Sequence, residues 1–212
     1  MKVLHLTTGP LATNVWVLAD IRTREAIAID TATPSARWLT ETLSDEGWEL
    51  RFIVSTHRHW DHIGDNAEAV VATGATLAVH IADRHGLERP EQMSAPFPVP
   101  PSVPALDLAE GSHIRFGDID LVVLHTPGHT EGSVCLLNND DGFLISGDTL
   151  FAGGWGRTDL PGGDDEQMID SLARLGTLED RLALLPGHGP QSTVGREKPW
   201  LQLVAKHRRL PW

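Results

Sequence analysis

Residues 55–62 read STHRHWDH, which places three histidines and an aspartate within six positions of a chain that has 11 histidines among 212 residues. Neutral imidazole and carboxylate are preferred ligands for zinc and related divalent ions. His57 and His59 are two apart, and in an extended stretch such residues point to the same side. Both can then reach one ion. Asp61 and His62 follow where the chain turns into a helix, so they can face a second ion beside the first.

Four ligands from one segment do not close two sites. The remaining donors are expected from His129 in TPGHTEGS, Asp148 in SGDTLF and His188 in LPGHGP. Each has small, turn-forming neighbours, and glycine allows the backbone angles that present a ligand from a tight turn. Two ions about 3.5–4 Å apart can share a carboxylate, polarise a carbonyl and bring the pKa of a water to about 7. Such chemistry needs no Ser or Cys nucleophile. Asp30, which ends its own strand, either supports a ligand from behind or serves the fold alone. His5, His80, His85, His113, His125 and His207 lack this context and read as structural or exposed.

Rigid elements must hold these residues. Apolar runs predict strands at 14–19, 26–30, 51–56, 76–80, 118–126, 133–138, 142–148 and 181–189. Helical periodicity is expected at 34–46, with Trp38, Leu39, Thr42 and Leu43 on one stripe, and at 166–175, with Met168, Ile169, Leu172 and Leu175 inward. GDNAEAVVATG, 64–74, reads as a third helix. Each ligand group follows the end of an apolar strand, where loops on a rigid sheet carry function. Strands with interleaved helices suit sheets packed together with helices outside. The stretch 90–104 holds six prolines and can be neither helix nor central strand. It is a surface loop that walls a site, or a connector. KHRR, 206–209, reads as a solvated helix end.

The chain length fits one domain over 1–212. A net charge of -12 with scattered arginines argues against a nucleic-acid partner. Cys135 is the single cysteine, so no intramolecular disulfide is possible, and it reads as a buried core thiol. No apolar run approaches the roughly 18 residues of a membrane span, and the N-terminus does not resemble a signal peptide. The expectation is a cytoplasmic protein with no membrane partner. Nothing in the sequence indicates an oligomeric state.

THRHWDH is similar to the T-H-x-H-x-D-H signature of the metallo-β-lactamase superfamily, and the later G-H, G-D and G-H elements come in that family's order. The resemblance covers about 14–200. SGDTLFAGGWGRTDLPGGD and LPGHGPQSTVGREK further resemble the compact bacterial glyoxalase II-like proteins, the hydroxyacylglutathione hydrolase group. That resemblance implies an α/β fold, an αββα sandwich of two mixed β-sheets flanked by helices. It implies two divalent metal ions, zinc first, with iron or manganese as alternatives. His57, His59 and His129 would hold one ion, Asp61, His62 and His188 the other, and Asp148 would bridge. Asp61 and Asp148 are the expected catalytic carboxylates.

The implied substrate is a small-molecule thioester such as S-lactoylglutathione. Arg157 in GRTD is expected either to meet a substrate carboxylate with its planar fork or to pin its own loop through Asp159 or Asp164. Loop 153–163, with 90–104, is the expected pocket wall. Glutathione-specific members carry an added C-terminal helical domain, whereas about 24 residues follow His188 here. A less selective thioesterase is therefore expected. The persulfide dioxygenases share the T-H-x-H-x-D-H string and would hold one iron through His57, His129 and Asp148. A lactonase or another hydrolase of the superfamily is a third reading. PGHGP around His188 favours the thioester hydrolases.

Overall fold

The computed structural model describes residues 1–90 and 95–211. One sheet begins with β1 (Lys2–Thr8), which pairs antiparallel with β2 (Thr13–Ala19). It continues through β3 (Glu25–Ile29), β4 (Glu49–Val54), β5 (Thr76–His80) and β6 (Leu106–Leu108), in the order β1-β2-β3-β4-β5-β6. β3 to β6 run parallel. Parallel strands are covered on both faces, which is why AIAI and FIV are apolar without alternation. The second sheet is built from β7 (His113–Phe116), β8 (Ile119–His125), β9 (Val134–Asn138), β10 (Phe143–Gly147), β11 (Ala183–Pro186) and β12 (Ser192–Thr193). Its order is β12-β11-β10-β9-β8-β7, with β10 and β11 parallel and the other pairs antiparallel.

The two sheets face each other across a core in which Trp16, Ile29 and Val54 meet Phe116, Leu121, Val123 and Leu136. Four helices cover the outer face of the first sheet: α1 (Ala36–Glu46), α2 (Trp60–Ile63), α3 (Asn66–Thr73) and α4 (Arg84–Glu88). Their Leu39, Leu43, Ile63 and Leu87 pack on Val17, Ala28 and Ile53. The second sheet carries α5 (Asp165–Leu175) and α6 (Val194–His207). Met168, Leu172, Leu201 and Val204 there cover Cys135, Leu144 and Leu184. This is the expected αββα sandwich of two mixed sheets. Among the described residues no helix is long and apolar enough to cross a membrane.

Several boundaries differ from the sequence expectation. α1 starts at Ala36 rather than at residue 34, because the Asp65 carboxylate accepts from Ser35 N at 2.6 Å and Ala36 N at 2.8 Å and so caps the first turn. The helix expected over 64–74 covers 66–73 and is separate from α2. β1, β6, β7, β12 and α4 were not expected. β6 and β12 span only three and two residues, too short for a period to show. In the stretch 90–104, residues 91–94 lie outside the described residues. Phe97 packs edge-to-face on Trp60 at 5.5 Å, so this part of the stretch backs a cleft residue.

Asp20, just after β2, ties the two sheets at the end away from the histidines. Its carboxylate accepts from Asp118 N at 2.7 Å, Arg22 N at 2.8 Å and Thr23 N at 3.3 Å. The Asp118 amide above all holds its carboxyl down at about 2, against an ordinary 3.8. Asp20→Ala is expected to lower stability by about 1–3 kcal/mol, because three donors lose their acceptor. The folded pKa lies below the unfolded one. The stabilisation is therefore complete above about pH 4 and is lost as pH falls through 2. Denaturation midpoints measured across that range check the sign, and a deficit that is as large at pH 2 as at pH 7 is the contrary result.

Candidate metal centre

The chain leaves β4 at Val54, bends at Thr56 and His57, and is extended at His59, whose φ is -65° and ψ 144°. It then coils, with His62 N donating to His59 O at 3.0 Å. His57 and His59 thus come from the bent segment that follows β4, and Asp61 and His62 from the first turn of α2. β10 and β11 are parallel neighbours, so their C-terminal ends deliver Asp148 and His188 to the same edge of the sandwich. His129 arrives from the turn after β8. Gly128 before it has φ 132°, and a side chain there would run into the Met168 backbone of α5. A side chain at Gly187 would meet an Asp148 carboxylate oxygen and the His62 ring.

All seven expected residues converge. The donor atoms of His57, His59 and His129 form one group, those of Asp61, His62 and His188 another, and those of His57, His62 and Asp148 a third, each within 4.8 Å. His59 Nδ1 lies 2.8 Å from His129 Nε2, and His62 Nε2 lies 3.1 Å from His188 Nε2. Asp61 Oδ2 is 3.2 Å from His188 Nε2 and 3.4 Å from His62 Nε2. Asp148 reaches both groups, with Oδ1 3.4 Å from His62 Nε2 and Oδ2 3.3 Å from His188 Nε2 and 3.5 Å from His129 Nε2. A tetrahedral ion with bonds near 2.0–2.1 Å separates its ligands by about 3.3 Å, the spacing found here. His57 Nε2 and Asp148 Oδ1 are buried with no hydrogen-bond partner. Metal ions fit this donor set.

The far nitrogens of four rings are held from behind. His57 Nδ1 is 3.1 Å from Thr56 Oγ1, which donates to Asp30 Oδ2 at 2.8 Å. His62 Nδ1 donates to the same Asp30 oxygen at 3.0 Å, His129 Nδ1 to the Arg157 carbonyl at 2.7 Å, and His188 Nδ1 to the Leu11 carbonyl at 3.0 Å. These bonds select the tautomer that leaves Nε2 facing forward as a lone pair. Asp30 itself sits at φ 58° and also accepts from Thr56 N at 2.7 Å. Thr13 Oγ1 donates to Asp61 Oδ2 at 3.1 Å. Thr13 and Leu11 carried no signal in the sequence, since they act from the start of β2 and the turn before it, far along the chain.

Burial pushes His57 well below its ordinary 6.5, and the neighbouring His62 and His129 rings add to the effect. Burial and His129 bring His59 down to about 3, and burial likewise lowers His129. Burial also opposes charge on His62, yet Asp148, Asp61 and Asp30 carry it well above the ordinary value. His188 reaches about 9 against the same desolvation, through Asp148 and Asp61. Both of those carboxyls are held well below the usual range despite burial, chiefly by His62. Ions held here would replace any protons on the ligand nitrogens of His62 and His188.

Arg58, which stands between His57 and His59, anchors this edge. Its side chain is 7% exposed and meets Asp83, which is fully buried, at 2.7 Å. Asp83 also accepts from Arg58 N at 2.9 Å, Thr130 Oγ1 at 2.7 Å and Gly132 N at 3.0 Å. Arg58 Nη2 donates to the Pro161 carbonyl at 2.8 Å. One ion pair thus ties three segments: the one bearing His57 to His62, the turn bearing His129, and loop 153–163. Arg157 is engaged by its own loop, with Nε and Nη2 donating to the two Asp159 oxygens at 2.7 Å each. The cleft above the centre is lined by Leu11, Trp60, Phe151, Gly156, Arg157 and Leu160 together with the ligand residues. The remaining histidines stand apart: His5 stacks on Trp16, His80 on His125, and His113 pairs with Asp120.

Residues 8–188 match the model of the metallo-β-lactamase superfamily, and the chain belongs to that superfamily. It is 35% identical over 176 residues to the hydroxyacylglutathione hydrolase of Methylococcus capsulatus, a match covering 82% of this chain and 61% of that protein. Its structure is similar to the crystal structure of the B3 metallo-β-lactamase BLEG-1, with a TM-score of 0.84 and 31% identity over 96% of this chain and 100% of that one. It is also similar to TTHA1623 in a di-iron-bound form, with a TM-score of 0.81 and 32% identity over 92% and 96% of the two chains.

Proposed function

We propose that the protein is a binuclear metal-dependent hydrolase that cleaves a thioester, S-lactoylglutathione or a related acyl-thiol. The observation that carries this reading is the Asp148 carboxylate standing between two triads, within 3.5 Å of imidazoles from both. The named activity of the Methylococcus capsulatus relative supports the thioester class. Two bound ions supply Lewis acidity toward a carbonyl oxygen and a water whose pKa is near 7. The chain's own groups do the positioning. His57, His59 and His129 would hold one side of the pair, Asp61, His62 and His188 the other. The ionised Asp61 and Asp148 orient the water, Asp61 being fixed in turn by the Thr13 hydroxyl. The water oxygen bonds to the acyl carbon, the C–S bond breaks, and the thiolate leaves and takes up the proton the water lost.

Zinc is our first assignment, with iron, supported by the di-iron neighbour, and manganese as alternatives, since His-rich sites completed by oxygen accept all three. A cytoplasmic enzyme acting on a small molecule, with neither nucleic acid nor membrane as partner, accords with the charge of -12.

Elemental analysis of the protein as isolated, run beside a thioester-hydrolysis assay, tests the reading. Two ions per chain are expected. His59→Ala and His188→Ala should each lose an ion and most of the hydrolysis. Full turnover with one ion per chain would overturn the binuclear assignment. A single iron with oxygen uptake on a persulfide would install the dioxygenase reading instead, which leaves the Asp61, His62 and His188 triad without a task.

A further inference from the structure

The cleft above the ligands has a volume of about 430 Å³. Four apolar side chains, Leu11, Trp60, Phe151 and Leu160, stand in its walls beside the charged centre. Leu11 is 53% exposed. Trp60, Phe151 and Leu160 are each half-buried along the same cleft. Two of them are backed by other rings, Trp60 by Phe97 and Phe151 edge-on by His188 at 6.0 Å, and the backbone of Leu11 is fixed where its carbonyl meets His188 Nδ1. Apolar side chains gathered around a few polar groups mark a surface that a ligand covers.

Arg157 is the only Lys or Arg side chain lining this cleft among the described residues. Two donors of its guanidinium already meet Asp159 in a bidentate pair. The Asp159 charge beside the guanidinium offsets much of what its remaining donors offer a substrate carboxylate. The approach of such a carboxylate is further opposed by the overall charge of -12.

We propose that this cleft takes an uncharged, apolar acyl chain, so that the preferred substrates are acyl thioesters with an apolar tail of several carbons rather than thioesters bearing carboxylates close to the reacting carbonyl. The proposal rests on the hydrolase reading above for the bond that is broken. The walls decide only what is held beside it.

Kinetics with S-acyl-N-acetylcysteamine thioesters of two to eight acyl carbons test it. The specificity constant is expected to rise about three- to fourfold per methylene until the cleft is filled, and the hexanoyl compound should exceed S-lactoylglutathione. Phe151→Ala should flatten that rise. Asp159→Asn releases the Arg157 fork and is expected to raise use of a succinyl thioester, relative to a butyryl one, by about tenfold. A second readout needs no turnover: calorimetric titration of the metal-loaded protein with alkanethiols and with ω-mercaptoalkanoic acids of equal length. Tighter binding with each methylene, and weaker binding of the acids, is expected. If thiol binding follows chain length but no thioester is cleaved, the thioester assignment fails and the cleft assignment stands. If thioesters are cleaved with no dependence on chain length, or S-lactoylglutathione is the best substrate, the cleft assignment is overturned and the hydrolase reading remains.

Discussion

Asp148→Asn is expected to lower kcat/KM for thioester hydrolysis by about 1000-fold or more, equivalent to about 4 kcal/mol of transition-state stabilisation, and to leave fewer than two ions bound per chain. The carboxylate is 8% exposed, sits at the end of β10, and faces imidazoles of both triads. Between two dications a carboxylate supplies negative charge where repulsion is greatest. An amide of the same shape supplies none, and its NH2 group donates where ligand nitrogens present lone pairs. The shape is conserved, so the loss should come without a matching loss of fold. Circular dichroism and the denaturation midpoint of the variant control for that. Parent-like metal content and turnover would remove Asp148 from the bridging position.

Asp83→Ala is expected to cost about 3–5 kcal/mol of stability, the range for leaving one member of a buried ion pair unpartnered. Four bonds end on this carboxylate: two from Arg58, one from Thr130 and one from Gly132. Glu131 also reaches Arg58 Nη1 at 2.9 Å but is 55% exposed, so solvent screens it and it compensates little. Arg58→Met is the milder change, because Asp83 keeps three of its four donors. The double variant should recover part of the loss of Asp83→Ala, because no buried charge is then left alone. Denaturant midpoints of the three variants at fixed ion content decide the matter. A loss below about 1 kcal/mol for Asp83→Ala would show that the pair is not what binds the three segments.

The ligand set was legible because metal chemistry restricts residue type. Few structural demands crowd His57, His59, Asp61 and His62 into six positions, and the structure brings those four together with His129, Asp148 and His188. The layers were legible for a related reason. Strands buried on both faces, such as β3 after Glu25 and β10, carry no charged residue, and a helix covering a sheet must repeat its apolar residues, as α5 does with Met168, Leu172 and Leu175. β1 was not legible: its residues alternate between half-buried and exposed, and no apolar run marks it. Arg157 was legible as a residue near the site, and its side-chain pair with Asp159 was one of the two expected roles, but the use of its carbonyl was not legible. Its carbonyl orients His129 while its side chain turns to Asp159. What holds the ligands from behind, Asp30 through Thr56 and His62, Thr13 on Asp61, and Asp83 with Arg58, was decided by tertiary structure. A metal ligand must be one of a few residue types, whereas a hydrogen bond to its far side can come from any carbonyl, hydroxyl or carboxylate that the packing of the two sheets brings within about 3 Å.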